Sequence, residues 1–265
     1  MEALRQDREG ALMHTTLLRE NTQPHRHEIP LRLSWTDAQG VRPIPERTIR
    51  RRKSANAAPW PEAFHGNGYH AHGMARGPFD FSTHMQRLCA DIASRCEVFH
   101  HIDTSRILFC VTQARSSRRR GLQAKVTPMR FRDGQLVRER RGRLHQVQRY
   151  WVDGVEMLYV MTFCLPRFLD QSFDEKFITI FHELYHIAPE FNGDLRRHHG
   201  RCYVHTRCKR TYDRHMAQLV RGYIEAGPDP GRFTFLRLSF PQIEARHGRL
   251  FGLHVPAPKL VPLAE

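Results

Sequence analysis

The chain has 265 residues, enough to bury a proper core, and carries a formal net charge of +15 with a pI of about 10.2. A field of that sign favours acidic partners, nucleic acid above all, and the longest apolar run, Met157 to Pro166, is too short to cross a bilayer, so no membrane role is expected. The six cysteines (Cys89, Cys96, Cys110, Cys164, Cys202, Cys208) form no C-x-x-C pair, which excludes a zinc ribbon or a thioredoxin-type centre. Met1-Glu2 opens a charged segment without a hydrophobic signal core, and together these features predict free thiols in a reducing, cytoplasmic setting.

Residues 1–78 are rich in Arg, His, Pro and Gly and lack periodic apolar positions, so they are expected to form a basic, largely flexible N-terminal extension. It includes the basic run Arg47-Thr48-Ile49-Arg50-Arg51-Arg52-Lys53. From Phe81 the character changes. Met85, Leu88, Cys89, Ile92, Cys96 and Phe99 recur at helical spacing and predict a helix over 82–98. Ile107 to Val111 is a continuous apolar run that predicts a buried strand within 105–113.

Residues 115–149 hold twelve Arg or Lys against only Asp133 and Glu139. Met129 to Val137 alternates around Asp133-Gly134, a hairpin signal with arginines outward, and the low acid count makes the region a candidate phosphate-binding surface. Tyr150 to Phe163 repeats the hairpin signal at Asp153-Gly154, and its second, nearly all-apolar arm is expected inside the sheet.

The next helix carries His182-Glu183-Leu184-Tyr185-His186. In this chain of 18 histidines an H-E-x-x-H pattern arises by chance about once in fifteen such sequences, so its context must decide. Ser172 and Glu175 form a capping box, Asp174 and Glu175 suit the positive end of the helix dipole, and Pro189 ends the helix. Phe173, Phe177, Ile180, Phe181, Leu184 and Ile187 make one apolar stripe, while Thr179, His182 and His186 share another face. Two imidazoles one turn apart can hold one Zn2+, and Glu183 can reach a water beside it as general base. Beyond Pro189 comes a loop, then a second long helix from Thr206 to Ala226 with a buried stripe of Cys208, Tyr212, Met216, Leu219 and Tyr223. A strand over Phe233–Phe240, a short apolar piece at Leu250–Val255 and a Pro-rich tail from Pro256 complete the chain.

A hydrolytic zinc site needs three protein ligands and one open position. The extended metzincin spacing falls on Asn192, which is no ligand, and Glu225 sits unattractively at the end of the second helix. Among His198, His199, His205, Asp194 and Cys202, His205 is preferred because it stands directly before that helix; His199 is second. Tyr203, Arg196 and Arg197 are candidates to stabilise an oxyanion. Asp194 or Asp213 is a candidate to orient a liganding imidazole, and Asp194 has the alternative of holding the Asn-Gly-Asp turn.

His182 to His186, Phe191 to Arg197, Gly200-Arg201, Tyr203, His205, Lys209 and Tyr212-Asp213, with Pro166-Arg167-Phe168 upstream, resemble the family called putative phage metallopeptidases. The likeness covers about residues 80–258 and is densest over 155–224. More distantly the chain is similar to SprT-like zinc proteases, in which a third histidine precedes a helix as His205 does here, although their cysteine zinc ribbon is missing. The resemblance implies an α+β, zincin-like domain over 79–258, with a small mixed or antiparallel sheet packed on the H-E-x-x-H helix and the second long helix, followed by a tail over 259–265. It implies a phage-encoded or bacterial cytoplasmic zinc metallopeptidase acting on protein or peptide, with His182, His186 and His205 on the metal and Glu183 as base. DNA or RNA is the expected further partner, through 115–149 and 47–53. The alternatives are a nucleic-acid-binding protein with a structural zinc and a zinc hydrolase acting on another bond.

Overall fold

The computed structural model describes residues 31–35, 44–47, 77–114, 121–197 and 209–263. Its centre is a pair of parallel strands, β4 (Ile107–Gln113) and β10 (Tyr159–Leu165), in register from Tyr159 opposite Ile107 to Leu165 opposite Gln113; the numbering of all elements follows chain order. Both strands are buried on both faces, which explains why they read as unbroken apolar runs. Ile107, Phe109 and Val111 with Tyr159, Met161 and Phe163 face the main core, whereas Leu108, Cys110 and Val160 face a smaller one with Met129, Tyr150 and Met157.

The rest of the sheet grows outward from this pair. β5 (Ala124–Pro128) runs antiparallel to β10 and is the last strand on its side. On the other side β11 (Leu250–His254) lies parallel to β4, with β3 (Phe79–Asp80) beside it. Two strands from the segment expected as a flexible extension, β1 (Leu31–Trp35) and β2 (Ile44–Arg47), continue the sheet antiparallel from β11. The sheet is therefore mixed and seven-stranded, and with four helices among the described residues the fold is α+β.

Helix α1 (Phe81–Arg95) follows β3 directly and is capped by the Asp80 carboxylate, which accepts from the Thr83 amide at 3.2 Å. It buries Met85, Leu88, Cys89 and Ile92, as its periodicity requires. Helix α2 (Phe173–Tyr185) carries the histidine motif. Both arms of its capping box are made: the Ser172 hydroxyl accepts from the Glu175 amide at 3.3 Å, and the Glu175 carboxylate accepts from the Ser172 amide at 2.9 Å. Helix α3 (Lys209–Glu225) lies antiparallel against α2, since the Phe177 and Phe181 rings each stand 6.0 Å from Tyr223 while Tyr185, two turns on from Phe177, stands 5.5 Å from His215. Phe99, Phe177 and Phe181 are completely buried, each contributing about 1.5–3 kcal/mol of burial free energy to fixing α2.

Two expectations need correction. The hairpin expected at Asp133-Gly134 is displaced: those residues form a single 3-10 turn, and the hairpin is β6 (Val137–Arg140) with β7 (Arg143–Val147), turning at Arg141-Gly142. The cause is tertiary, because the Asp133 amide donates to the Asp194 carboxylate at 2.9 Å and Gly134 packs against Asn192. The strand expected over Phe233–Phe240 is instead a 3-10 turn (Thr234–Arg237) leading into α4 (Phe240–His247). There the buried Lys176 ammonium of α2 donates to the carbonyls of Leu236 at 2.9 Å and Leu238 at 2.7 Å, satisfying the groups a sheet ladder would otherwise take. The hairpin at Asp153-Gly154 forms as expected, between β8 (Trp151–Val152) and β9 (Val155–Glu156). A last strand, β12 (Leu260–Pro262), joins β7 in a separate three-stranded sheet. Among the described residues no helix is long and apolar enough to cross a membrane.

Burial lowers the Lys176 pKa from 10.5 to about 8. Below pH 8 the amine is protonated folded and unfolded, and the burial cost is fully present; above 10.5 it is neutral in both states and the cost is gone. Between those values the unfolded chain binds more protons, so the free energy of unfolding rises with pH. Lys176→Met leaves two carbonyls unsatisfied but also removes the burial cost, so in urea titrations its free energy of unfolding should stay flat between pH 8 and 10.5 where that of the wild type rises; a variant that keeps the rise would assign it to another group.

Candidate metal centre

Helix α2 presents its motif at the sheet edge. Its back, Phe177, Ile180, Phe181 and Leu184, is fully buried. On the other side the Nε2 atoms of His182 and His186 converge to 2.8 Å, with the rings nearly perpendicular. Two nitrogens bound tetrahedrally to one zinc lie about 3.3 Å apart, so a separation of a few tenths of an ångström fits these imidazoles to a shared ion. His186 is the C-terminal cap of the helix and is buried, whereas His182 is half-buried.

Glu183 reaches β5. Only 7% exposed, it accepts a hydrogen bond from the Val126 amide at 2.8 Å. Burial raises its pKa from 4.5 to about 7, and the Val126 amide offsets only part of that shift. No residue pattern points to the Val126 contribution, since the group is a backbone amide. The nearest available signal was Pro128, a residue that strands tolerate at a sheet edge.

The chain beyond α2 folds straight back. The Arg196 amide donates to the His186 carbonyl at 2.7 Å, and the Ala188 amide to the Asp194 carbonyl at 3.2 Å. Tyr159, from the central strand, locks this loop: its hydroxyl donates to the Asp194 carbonyl at 2.9 Å and accepts from the Gly193 amide at 3.0 Å. Gly193 has φ +89°, and a Cβ there would meet Arg130 Cγ at 2.5 Å, so no other residue fits without displacement.

Asp194 is buried, and its carboxylate accepts from the amides of Asp133 and Leu195 and from Arg197 at 2.9 Å. These bonds tie the loop to the 3-10 turn at Asp133, while the Asn-Gly-Asp turn is closed by Asn192, whose side-chain oxygen accepts from the Asp194 amide at 3.1 Å. Arg197, a candidate for the oxyanion, is engaged by this carboxylate. Arg196 lies 4.2 Å over the Tyr185 ring. Among the described residues no third His, Cys, Asp or Glu joins the two histidines in a group able to hold a metal. His205, His199, His198, Cys202 and Tyr203 lie outside the described residues, as does the side chain of Asp213.

The basic region divides by role. Arg130 and Arg149 are structural, both paired with the half-buried Glu156 beneath the β8–β9 hairpin, and Arg132 pairs with Asp133. Residues 115–120 and most of the basic run 47–53 lie outside the described residues.

A helix with a buried back thus carries two converging imidazoles and a buried carboxyl in the H-E-x-x-H arrangement. Residues 82–221, more than half of the chain, match the family described as "Putative phage metallopeptidase", and the chain belongs to that family. The family is by its description one of metallopeptidases, metal-dependent hydrolases of peptide bonds. No curated protein and no solved structure matches the chain.

Asp194→Asn removes the charge that serves Arg197 and one of the acceptors serving the loop amides. It should cost about 1–3 kcal/mol in thermal unfolding and leave bound zinc, measured by elemental analysis, unchanged. Loss of zinc at unchanged stability would show that Asp194 instead orients a liganding imidazole.

Proposed function

We propose that the protein is a zinc-dependent peptidase in which His182 and His186 hold the metal and Glu183 is the general base. The observation that carries this is the convergence of the two Nε2 atoms at 2.8 Å beside a buried carboxyl. Zinc in that position would supply a water acidified towards a pKa of about 7 and a Lewis acid for the scissile carbonyl. Glu183 takes the proton of the attacking water on its carboxylate and later gives it to the leaving amine. The Val126 amide keeps that carboxylate aimed, since rotation would break a bond of 2.8 Å. Among the described residues β5 is an edge strand, so an extended peptide laid along it would pass by Glu183.

His205 is the proposed third ligand. The segment that carries it leaves beside His186, where the Arg196 amide is bonded, and re-enters at Lys209. Because α3 runs antiparallel to α2, its N-terminus stands at the His186 end of α2, which supports a ligand just ahead of it.

Glu183→Gln should retain about one zinc per chain and lose about 10²- to 10⁴-fold in the cleavage rate of a quenched peptide library. His186→Ala and His205→Ala should lose the zinc itself, by elemental analysis of purified protein. Full proteolysis by the Glu183→Gln protein would dismiss the assigned base. Full zinc in the His205→Ala protein would move the third ligand, with His199 next in line.

A further inference from the structure

We infer that one face of the β6–β7 hairpin is a binding surface for the phosphate backbone of nucleic acid, independent of the metal centre. In the hairpin register Arg140 stands opposite Arg143 and Arg138 opposite His145. Cross-strand partners share a face, so Arg138, Arg140, Arg143 and His145 form one basic face, and the hairpin's single acid, Glu139, falls on the other. The three arginines are exposed, and among the described residues none of them has a carboxylate partner.

Arg140 and Arg143 are like charges directly opposite each other, a pairing that destabilises a ladder and that a bound anion would relieve. The turn adds a fourth guanidinium: Arg141 is held at φ +55° beside Gly142, a position where Asn or Gly is the usual residue. The charged bases on the hairpin strands are all arginine, whose planar fork matches phosphate oxygens bidentately. Successive arginines on one strand face are about 6.8 Å apart, which spaces the contacts along an extended polyanion rather than around a single small ion. Four residues past the end of β7, Trp151 is 40% exposed and carries the Arg149 guanidinium 5.0 Å from its ring centroid. The contacts described are to the backbone, so binding is indifferent to sequence.

The full-length chain is titrated by fluorescence anisotropy against labelled single-stranded and duplex oligonucleotides of mixed sequence, between 50 and 200 mM salt. The R138Q/R140Q/R143Q protein should bind at least about tenfold more weakly than the wild type, with a log–log salt slope on duplex shallower by about 2.7, or 0.9 per lost contact. R214Q/R221Q, which removes two exposed arginines of α3, should stay within about twofold of the wild type, and R138K/R140K/R143K should recover most of the affinity. Unchanged melting temperatures certify the comparison. If the triple variant melts early, R140Q/R143Q replaces it with an expected slope change of about 1.8. The inference is overturned if the hairpin variant keeps the wild-type affinity and slope, or if both glutamine variants weaken alike. It is also overturned if the wild type binds vesicles containing phosphatidylserine but no oligonucleotide. None of these outcomes bears on zinc content or peptide cleavage, so the surface and the metal centre stand or fall separately.

Discussion

The hydrogen bond from the Val126 amide to Glu183 joins the two parts of the molecule that the site requires, the helix and the sheet edge. A carboxyl only 7% exposed is costly to keep charged, and a single amide does not offset that cost. It is tolerated because the helix has nowhere else to go. Phe177 and Phe181 pack on Tyr223 of α3, Phe181 packs on Phe99, and Lys176 anchors the first turn to Leu236 and Leu238. Stability from these apolar and polar contacts holds a polar turn in a place it would not choose by itself. A dication beside the carboxyl would favour its charged form, so metal and burial oppose each other at this group.

The second constraint is the return of the chain after α2. Tyr159 belongs to the central strand, yet its hydroxyl closes the loop that begins at His186. Asp194 draws in Leu195, Asp133 and Arg197. Core strand, basic region and the chain leaving the motif helix therefore meet at one residue, Asp194, whose carbonyl takes Tyr159 and Ala188 and whose carboxylate takes Asp133 and Arg197, and this fixes where the segment bearing His205 begins.

Much of this was legible in the sequence because it is local. The capping box at Ser172 and Glu175, the apolar back of the motif helix, the buried strand at Ile107–Gln113 and the hairpin at Asp153-Gly154 each depend on residues within a few positions of one another. What failed was local signal overruled by distant groups. Asp133-Gly134 is as good a hairpin turn as Asp153-Gly154, but Asp194 and Asn192 capture it, and the hairpin closes on the weaker Arg141-Gly142 instead. The apolar run at Phe233 would suit a strand, but a lysine sixty residues earlier takes its carbonyls. The parallel pairing of β4 with β10 and the role of the Val126 amide had no sequence signature, since both are backbone contacts between remote segments. For the same reason the two helical histidines could be placed from spacing alone, whereas a ligand on a loop cannot.

The most direct test is a zinc-edge anomalous diffraction map of the purified protein. One zinc should lie between the Nε2 atoms of His182 and His186, with one further protein ligand from the 198–208 segment and a fourth position open to solvent. A zinc closed by four protein ligands would make the site structural, and no anomalous peak between these two histidines would contradict the account outright.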